Sequence, residues 1–161
     1  MPFDAALQRK IMGHFATGVT VVTTRVGDQM HGMTANAVTS LSLDPPLVLV
    51  CVEKRAAMFE HLRESRCFAM NILAENQQDI SNRFAMKGPK EFGDLDWFAE
   101  TTGAPILRQS LAYADCKVVD IAPGGDHDIF IGQILGGGLL NAAEKPLLYY
   151  AGAYRAIDVV P

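Results

Sequence analysis

Apolar positions along this chain recur mostly at every second residue, with a few short stretches that switch to a helical period. Phe3 to Phe15 carries Leu7, Ile11 and Phe15 at four-residue steps. That spacing predicts an amphipathic helix, with Asp4 able to cap its start and Gly18 lying beyond its end. From Val19 to Val26 the run VTVVTTRV is dominated by β-branched residues and predicts a strand. Gly27-Asp28 then predicts a turn, Met30 to Thr34 a second strand, and Ala37–Leu43 a third. Pro45 and Pro46 end that pairing. Leu47 to Val52 (LVLVCV) is apolar without interruption, the pattern of a strand covered on both faces.

Ala57 to Arg63 predicts a short helix and Cys67 to Ile72 a return to strand. Gln77 to Ala85 has Ile80 and Phe84 four apart and predicts another helix. Met86 to Gly103, rich in Gly and Asp and carrying Pro89, predicts a long excursion rather than a linker. Ala112–Ile121 and His127–Leu135 are further strands, and Gly136-Gly137-Gly138 marks a turn or bulge. A last strand spans Leu147–Val159, with a break at Gly152. Six or seven strands with short helices and no regular strand–helix alternation predict a mainly β fold. A closed antiparallel barrel fits this better than a parallel doubly wound sheet. With 161 residues and no internal repeat, one domain over residues 1–161 is expected.

Composition narrows the function classes. The chain is 49% apolar and 20% charged, which is ordinary globular material. A formal net charge of -4 gives no footprint for nucleic acid. No apolar run reaches the roughly 18 residues of a membrane span, and MPFDAALQRK lacks an export-type apolar core, so a cytoplasmic location is expected. Cys51, Cys67 and Cys116 each sit in a strand-like run, match no metal or redox spacing, and read as buried free thiols.

No dinucleotide fingerprint, P-loop or HExxH is present. Asp126-His127-Asp128 has metal-binding composition, but neighbours on a strand point to opposite faces, which makes joint ligation awkward. More suggestive is Thr34-Ala35-Asn36 followed by Thr39-Ser40-Leu41-Ser42. Hydroxyls, an amide and free backbone N–H groups are gathered there beside a strand end. A phosphate or the polar edge of a heterocycle needs such donors, and a β edge satisfying its own turns would look the same. Lys54 could serve a phosphate or simply be solvated. His127 could face a ligand or bond a neighbouring carbonyl.

The stretches HFATGVTVVTT, GMTANAVTSLSLDPPLVLVCV, EKRAAMFEHL, FAMNIL, GDHDIFIGQI and PLLYYAGAY resemble, in order and spacing, the short flavin reductases. These are the small components of two-component flavin monooxygenases. The resemblance implies a split β-barrel of the FMN-binding type that dimerises around two flavin sites. By alignment, Thr34, Ala35 and Asn36 hold the flavin ring, and Ser40, Leu41 and Ser42 run along its ribityl and phosphate portion. Glu53 and Lys54 lie beside the phosphate, Asn82 and Phe84 fall in a helix over the outer part of the cofactor, and Tyr154 is a late aromatic near the pocket. His127, in the motif GDH, is the catalytic candidate where a nicotinamide stacks on the ring. The implied activity is NADH- or NADPH-dependent reduction of FMN or FAD, delivered by a homodimer in transient contact with a monooxygenase. Two departures stand out. Ala56 and Ala57 replace the usual hydroxyl residues, in an EKxxxM context resembling the FAD-preferring subgroup, and no basic residue separates Gly152 from Tyr154.

Overall fold

The computed structural model describes residues 2–158 and Val160. Asp4 caps helix α1 (Ala5–Gly13) by accepting from the Ala6 N–H at 2.9 Å, as its position before an apolar period predicts. Strands β1 (Thr17–Gly18), β2 (Thr20–Val26) and β3 (Gln29–Ala35) follow. The β2–β3 hairpin turns at Gly27, whose φ of 59° is open to glycine at little cost. Then come β4 (Val38–Leu43), β5 (Pro46–Glu53), α2 (Ala57–Ser65), β6 (Cys67–Ile72), a 3-10 turn (Glu75–Gln77) and α3 (Gln78–Ala85). The excursion holds two short strands, β7 (Trp97–Phe98) and β8 (Ile106–Leu107), paired with each other. Two long strands, β9 (Ala112–Gly124) and β10 (His127–Leu139), precede the hairpin β11 (Leu148–Tyr150) and β12 (Ala153–Arg155).

Seven strands form one antiparallel sheet in the order β3-β2-β6-β9-β10-β5-β4. Its two edges, β3 and β4, are consecutive in sequence and share no ladder. Asn36 and Ala37 alone join them, and three Cα steps span at most about 11 Å. The sheet therefore curls until its edges nearly meet at one end, but hydrogen bonds do not close it. The closed barrel expected from the strand pattern is corrected on this point. A second sheet, β1-β11-β12, joins a strand near the start of the chain to the late hairpin.

The concave face is filled by Val22, Val48, Val50, Val52, Phe68, Met70, Val118 and Phe130, plugged by Met58, Phe59 and Leu62 of α2. On the other face α3 packs Ile80 and Phe84 against Val19, Val21 and Leu147, while Ala104 and Ile106 cover Ala69. Gly32 and Gly132 are close approaches: a Cβ would stand 2.7 Å from the Phe84 ring and 2.6 Å from the Phe68 ring, respectively. Of the turn or bulge expected at Gly136-Gly137-Gly138, the structure has a bulge, at Leu135 just before them. β10 runs on through these residues to Leu139 because β9 offers Ala112 to Asp115 as partners. The last predicted strand divides into a hairpin at Ala151-Gly152, both with positive φ, and its far end at Val159 lies outside the described residues.

Two expectations about cover fail in an informative way. LVLVCV buries Val48, Val50 and Val52 but leaves Leu47, Leu49 and Cys51 half-buried, because α3 and the excursion cover β2 and β6 instead. The α1 stripe is likewise open, with Leu7, Ile11 and Phe15 exposed by 45%, 53% and 70%. Of the thiols, Cys116 alone is fully buried, and burial pushes its pKa up to about 12. Cys51 and Cys67 are half-buried and free.

A polar knot ties the excursion to the sheet. The buried Asn71 donates from Nδ2 to the Val21 carbonyl at 3.0 Å and to Thr23 Oγ1 at 3.2 Å, and its Oδ1 accepts from Leu107 N–H at 2.8 Å. Thr23 Oγ1 in turn donates to the Pro105 carbonyl at 2.5 Å. Asn71→Leu orphans these groups and is expected to cost about 3 kcal/mol in urea unfolding. A loss under about 0.5 kcal/mol would show that the knot contributes nothing.

Candidate functional site

The edge-to-edge link decides where the candidate residues meet. Thr34 and Ala35 end β3, Asn36 and Ala37 cross over, and Val38 begins β4. The Ala37 carbonyl accepts from Cys51 N–H at 2.9 Å, which seats the crossover beside the end of β5. Two residues further along β5, Glu53 pairs with His127, the first residue of β10. Strand spacing and rise put the crossover roughly 10–12 Å from His127. The crossover segment and the candidate His127 thus share one rim of the sheet.

Each residue of that segment is tied from behind. Thr34 Oγ1 donates to the Ser81 carbonyl at 2.5 Å, so the end of β3 is bound to α3. The buried Ser81 hydroxyl shares a 2.6 Å hydrogen bond with the Tyr154 hydroxyl, and Tyr154 meets Tyr149 edge to face with ring centres 5.5 Å apart. Asn36 Nδ2 donates to Thr17 Oγ1 at 3.3 Å. These ties fix the side chains and leave the backbone of two unpaired edges, β3 and β4, available to a ligand. From Thr34 to Ser42 there is no acidic side chain, so the array offers donors without an opposing charge.

His127 is 41% exposed, and its Nδ1–H donates to Asp126 Oδ1 at 2.7 Å. The carboxylate only accepts, so the bond fixes the tautomer and leaves Nε2 free to face a ligand. That hydrogen bond, and then the imidazole charge, holds the Asp126 carboxyl below the usual carboxylate range.

Pairing separates some residues that the sequence grouped. Glu53 and His127 share the outer face, whereas Asp128 pairs with Val52 on the concave face, and Lys54 Nζ reaches Asp128 Oδ1 at 3.7 Å. Glu53 and Lys54 are therefore on opposite sides of the sheet end. Ser40 shares the face of Val48, Leu41 is the bulged residue, and Ser42 shares the outer face with Leu47. Asn82 is exposed on α3, while Phe84 is buried to 1% and packs on Phe92 at 5.2 Å between ring centres. Phe84 thus supports α3 from beneath. Ala56 sits at the N-cap of α2 without a side-chain bond; Phe59 N–H is taken by the Ala56 carbonyl at 3.0 Å, which leaves the Ala57 and Met58 amides beside Lys54 uncapped.

Sequence reasoning missed Ser81, Thr17 and Tyr149, and it weighed Asp126 as a metal ligand rather than as the partner of His127. Ser81 was findable as the inward neighbour of Asn82 on a helix whose Ile80 and Phe84 face the core. Thr17 and Tyr149 carried no signal, because only the β1–β11 pairing brings them in.

The geometry has close counterparts among known proteins. Residues 12–158 match the family model of the flavin reductase like domain. This chain belongs to that family. It is 39% identical over 156 residues to the reductase subunit HsaB of a flavin-dependent monooxygenase from Mycobacterium tuberculosis, covering 96% of this chain and 83% of the relative. With an NADH-dependent flavin reductase of Rhodococcus it shares 41% over 155 residues, covering 94% of this chain and 86% of that one. The structure of the Streptomyces globisporus NADH:FAD oxidoreductase SgcE6 superposes with a TM-score of 0.92 at 37% identity, over 99% of this chain and 96% of that one. A second SgcE6 structure, holding NAD and FAD fragments, superposes at 0.90 over 96% of this chain and 93% of that one, also at 37% identity.

Proposed function

We infer that this protein is an NAD(P)H:flavin oxidoreductase that reduces FMN or FAD with NADH or NADPH and passes the reduced flavin to a partner monooxygenase. The observation that carries this is the rim where two unpaired, donor-rich strand edges converge beside the Asp126–His127 pair. Membership of the flavin reductase like family supports it, as do relatives named as reductase subunits.

The donor set fits a flavin. Backbone N–H groups along Thr34, Ala35 and Asn36 can bond the electron-rich edge of the ring. The hydroxyls of Ser40 and Ser42, with Leu41 between them, line the free edge of β4 where a ribityl chain would run. Lys54 and the open amides of α2 can meet a phosphate. Asn82 lies on the exposed side of α3, and Tyr154, held by Ser81, braces the segment from below. A bound flavin supplies a hydride acceptor, and that chemistry belongs to the two cofactors. The protein stacks and orients the rings, and Nε2 of His127 positions the nicotinamide from the outer face. We assign the curled, unclosed sheet to the split-barrel type.

A homodimer accounts for the cover that the fold lacks. Leu47, Leu49 and Cys51 of β5 and Ile129 and Ile131 of β10 share the outer face and are all half-buried. An apolar sheet face of this kind is ordinarily paired with a second layer. A second copy placed there would flank His127 and enclose the site. Three free thiols fit a reducing compartment, so we place the protein in the cytoplasm.

Steady-state turnover with the four nucleotide and flavin pairings tests the activity. Bleaching of flavin absorbance above the blank is expected with at least one pairing, and no acceleration with any would refute the assignment. His127→Ala should lower kcat/KM for the nucleotide by roughly tenfold or more while the flavin KM changes little. Equal loss for both substrates would remove His127 from its assigned role. In light scattering the protein should behave as a dimer and Leu49→Lys as a monomer. A wild-type monomer at micromolar concentration would exclude this interface.

A further inference from the structure

Two elements hand over directly to the proposed flavin site. β3 runs into Thr34, Ala35 and Asn36, and α2 begins three residues after Lys54. One contact joins them: the His31 ring on β3 stacks on the His61 ring of α2, with centres 3.5 Å apart and planes 12° from parallel. Both residues are half-buried. β3 is an edge strand, held by the β2 ladder, by α3 on the outer face through Thr34 and Gly32, and by α2 on the concave face through this stack. The last turn of α2 is tied to β2 four residues later, where the Ser65 and Thr24 hydroxyls share a 2.7 Å hydrogen bond. Thr24 is also the residue opposite His31.

We propose that the His31–His61 stack is a proton-sensitive clasp, closed when the rings are neutral and loosened when they are protonated, which links proton uptake to flavin affinity. It rests on the flavin assignment above. Flat stacking at this distance suits neutral imidazoles and turns into close repulsion once both carry charge. Among the described residues no carboxylate pairs with either ring. On α2, Glu64 lies one turn beyond His61 and is exposed, while the Arg63 guanidinium rests 5.6 Å from the centre of the Phe59 ring. On β2, Arg25 pairs with Met30, so it projects from the face opposite His31, and its Nε donates to the Gly27 carbonyl at 3.0 Å. Asp28 is exposed in the hairpin turn. Burial, and then the His61 charge, holds the His31 imidazole below its ordinary range.

The sign follows from that lowering. Above the ordinary imidazole range neither folded nor unfolded chain is protonated at His31, and the clasp is intact. As pH falls below that range the unfolded chain takes up a proton that the folded chain resists, so the folded, closed form loses stability until the lowered native value is passed. Flavin affinity should follow the same course, because the clasp holds the strand and helix that carry its contacts.

The test compares the full-length protein with His61→Phe, which keeps an aromatic partner for His31 but cannot titrate. FAD affinity by fluorescence quenching and the thermal midpoint are each measured at pH 7.5 and 5.5. On acidification the wild type should lose roughly threefold more affinity than His61→Phe, and its midpoint should fall further. All other ionisable groups are common to both proteins and cancel. His31→Phe repeats the comparison should His61→Phe fail to fold. FAD bound at pH 7.5 with identical acid responses in wild type and variant would overturn the clasp alone. No FAD binding at pH 7.5 would overturn the flavin assignment and the coupling with it, while the midpoints would still report whether the stack titrates.

Discussion

The structure turns on a connection of two residues. Asn36 and Ala37 carry the chain from one edge of a seven-stranded sheet to the other, and no longer route is available. A flat sheet of that width would separate its edges by roughly 30 Å, six strand spacings, so so short a link forces a strong curl. The curl sets the concave core, sealed by Phe59, Leu62 and Met58 of α2. It also leaves two strand edges facing each other without pairing. An unpaired edge is ordinarily a liability, and two that converge on a polar crossover are the basis of the proposed site for a ligand rich in acceptors. Site and fold are thus consequences of one constraint.

Much of this was legible in the sequence because period and turn chemistry agreed. β6 falls on its expected span, and the hairpin at Gly27-Asp28 and the helices at Ala57 and Gln78 sit where their patterns place them. Strand pattern alone could not say whether the barrel closed, since closure is a matter of which edges pair. Gly136-Gly137-Gly138 left turn and bulge open because glycine permits a turn without requiring one, and a waiting partner strand kept the residues extended beyond a bulge at Leu135. The unbroken apolar run LVLVCV correctly signalled two apolar faces. It could not signal that the second cover is missing from this chain.

The placement of the candidate residues was legible in part. Motif resemblance brought Thr34, Ala35, Asn36, Glu53, Lys54 and His127 to attention, and the strand registers set the crossover, Glu53 and His127 on a common rim. Side-chain direction was beyond it. Glu53 and Lys54, adjacent in sequence, serve opposite faces, and Phe84 turns into the core while Asn82 faces out. The braces were equally hidden. Ser81 with Tyr154, and Thr17 with Asn36, are contacts between segments 73 and 19 residues apart, which no local pattern encodes.

A crystal structure of the protein with oxidised FAD tests the central claim most directly. The account predicts the isoalloxazine ring against the backbone of residues 34 to 36, in the gap between the two sheet edges, with the His127 imidazole on its open side. Density for the cofactor on the concave side near Arg63 and Arg66, or a gap filled by rearranged apolar side chains, would contradict it.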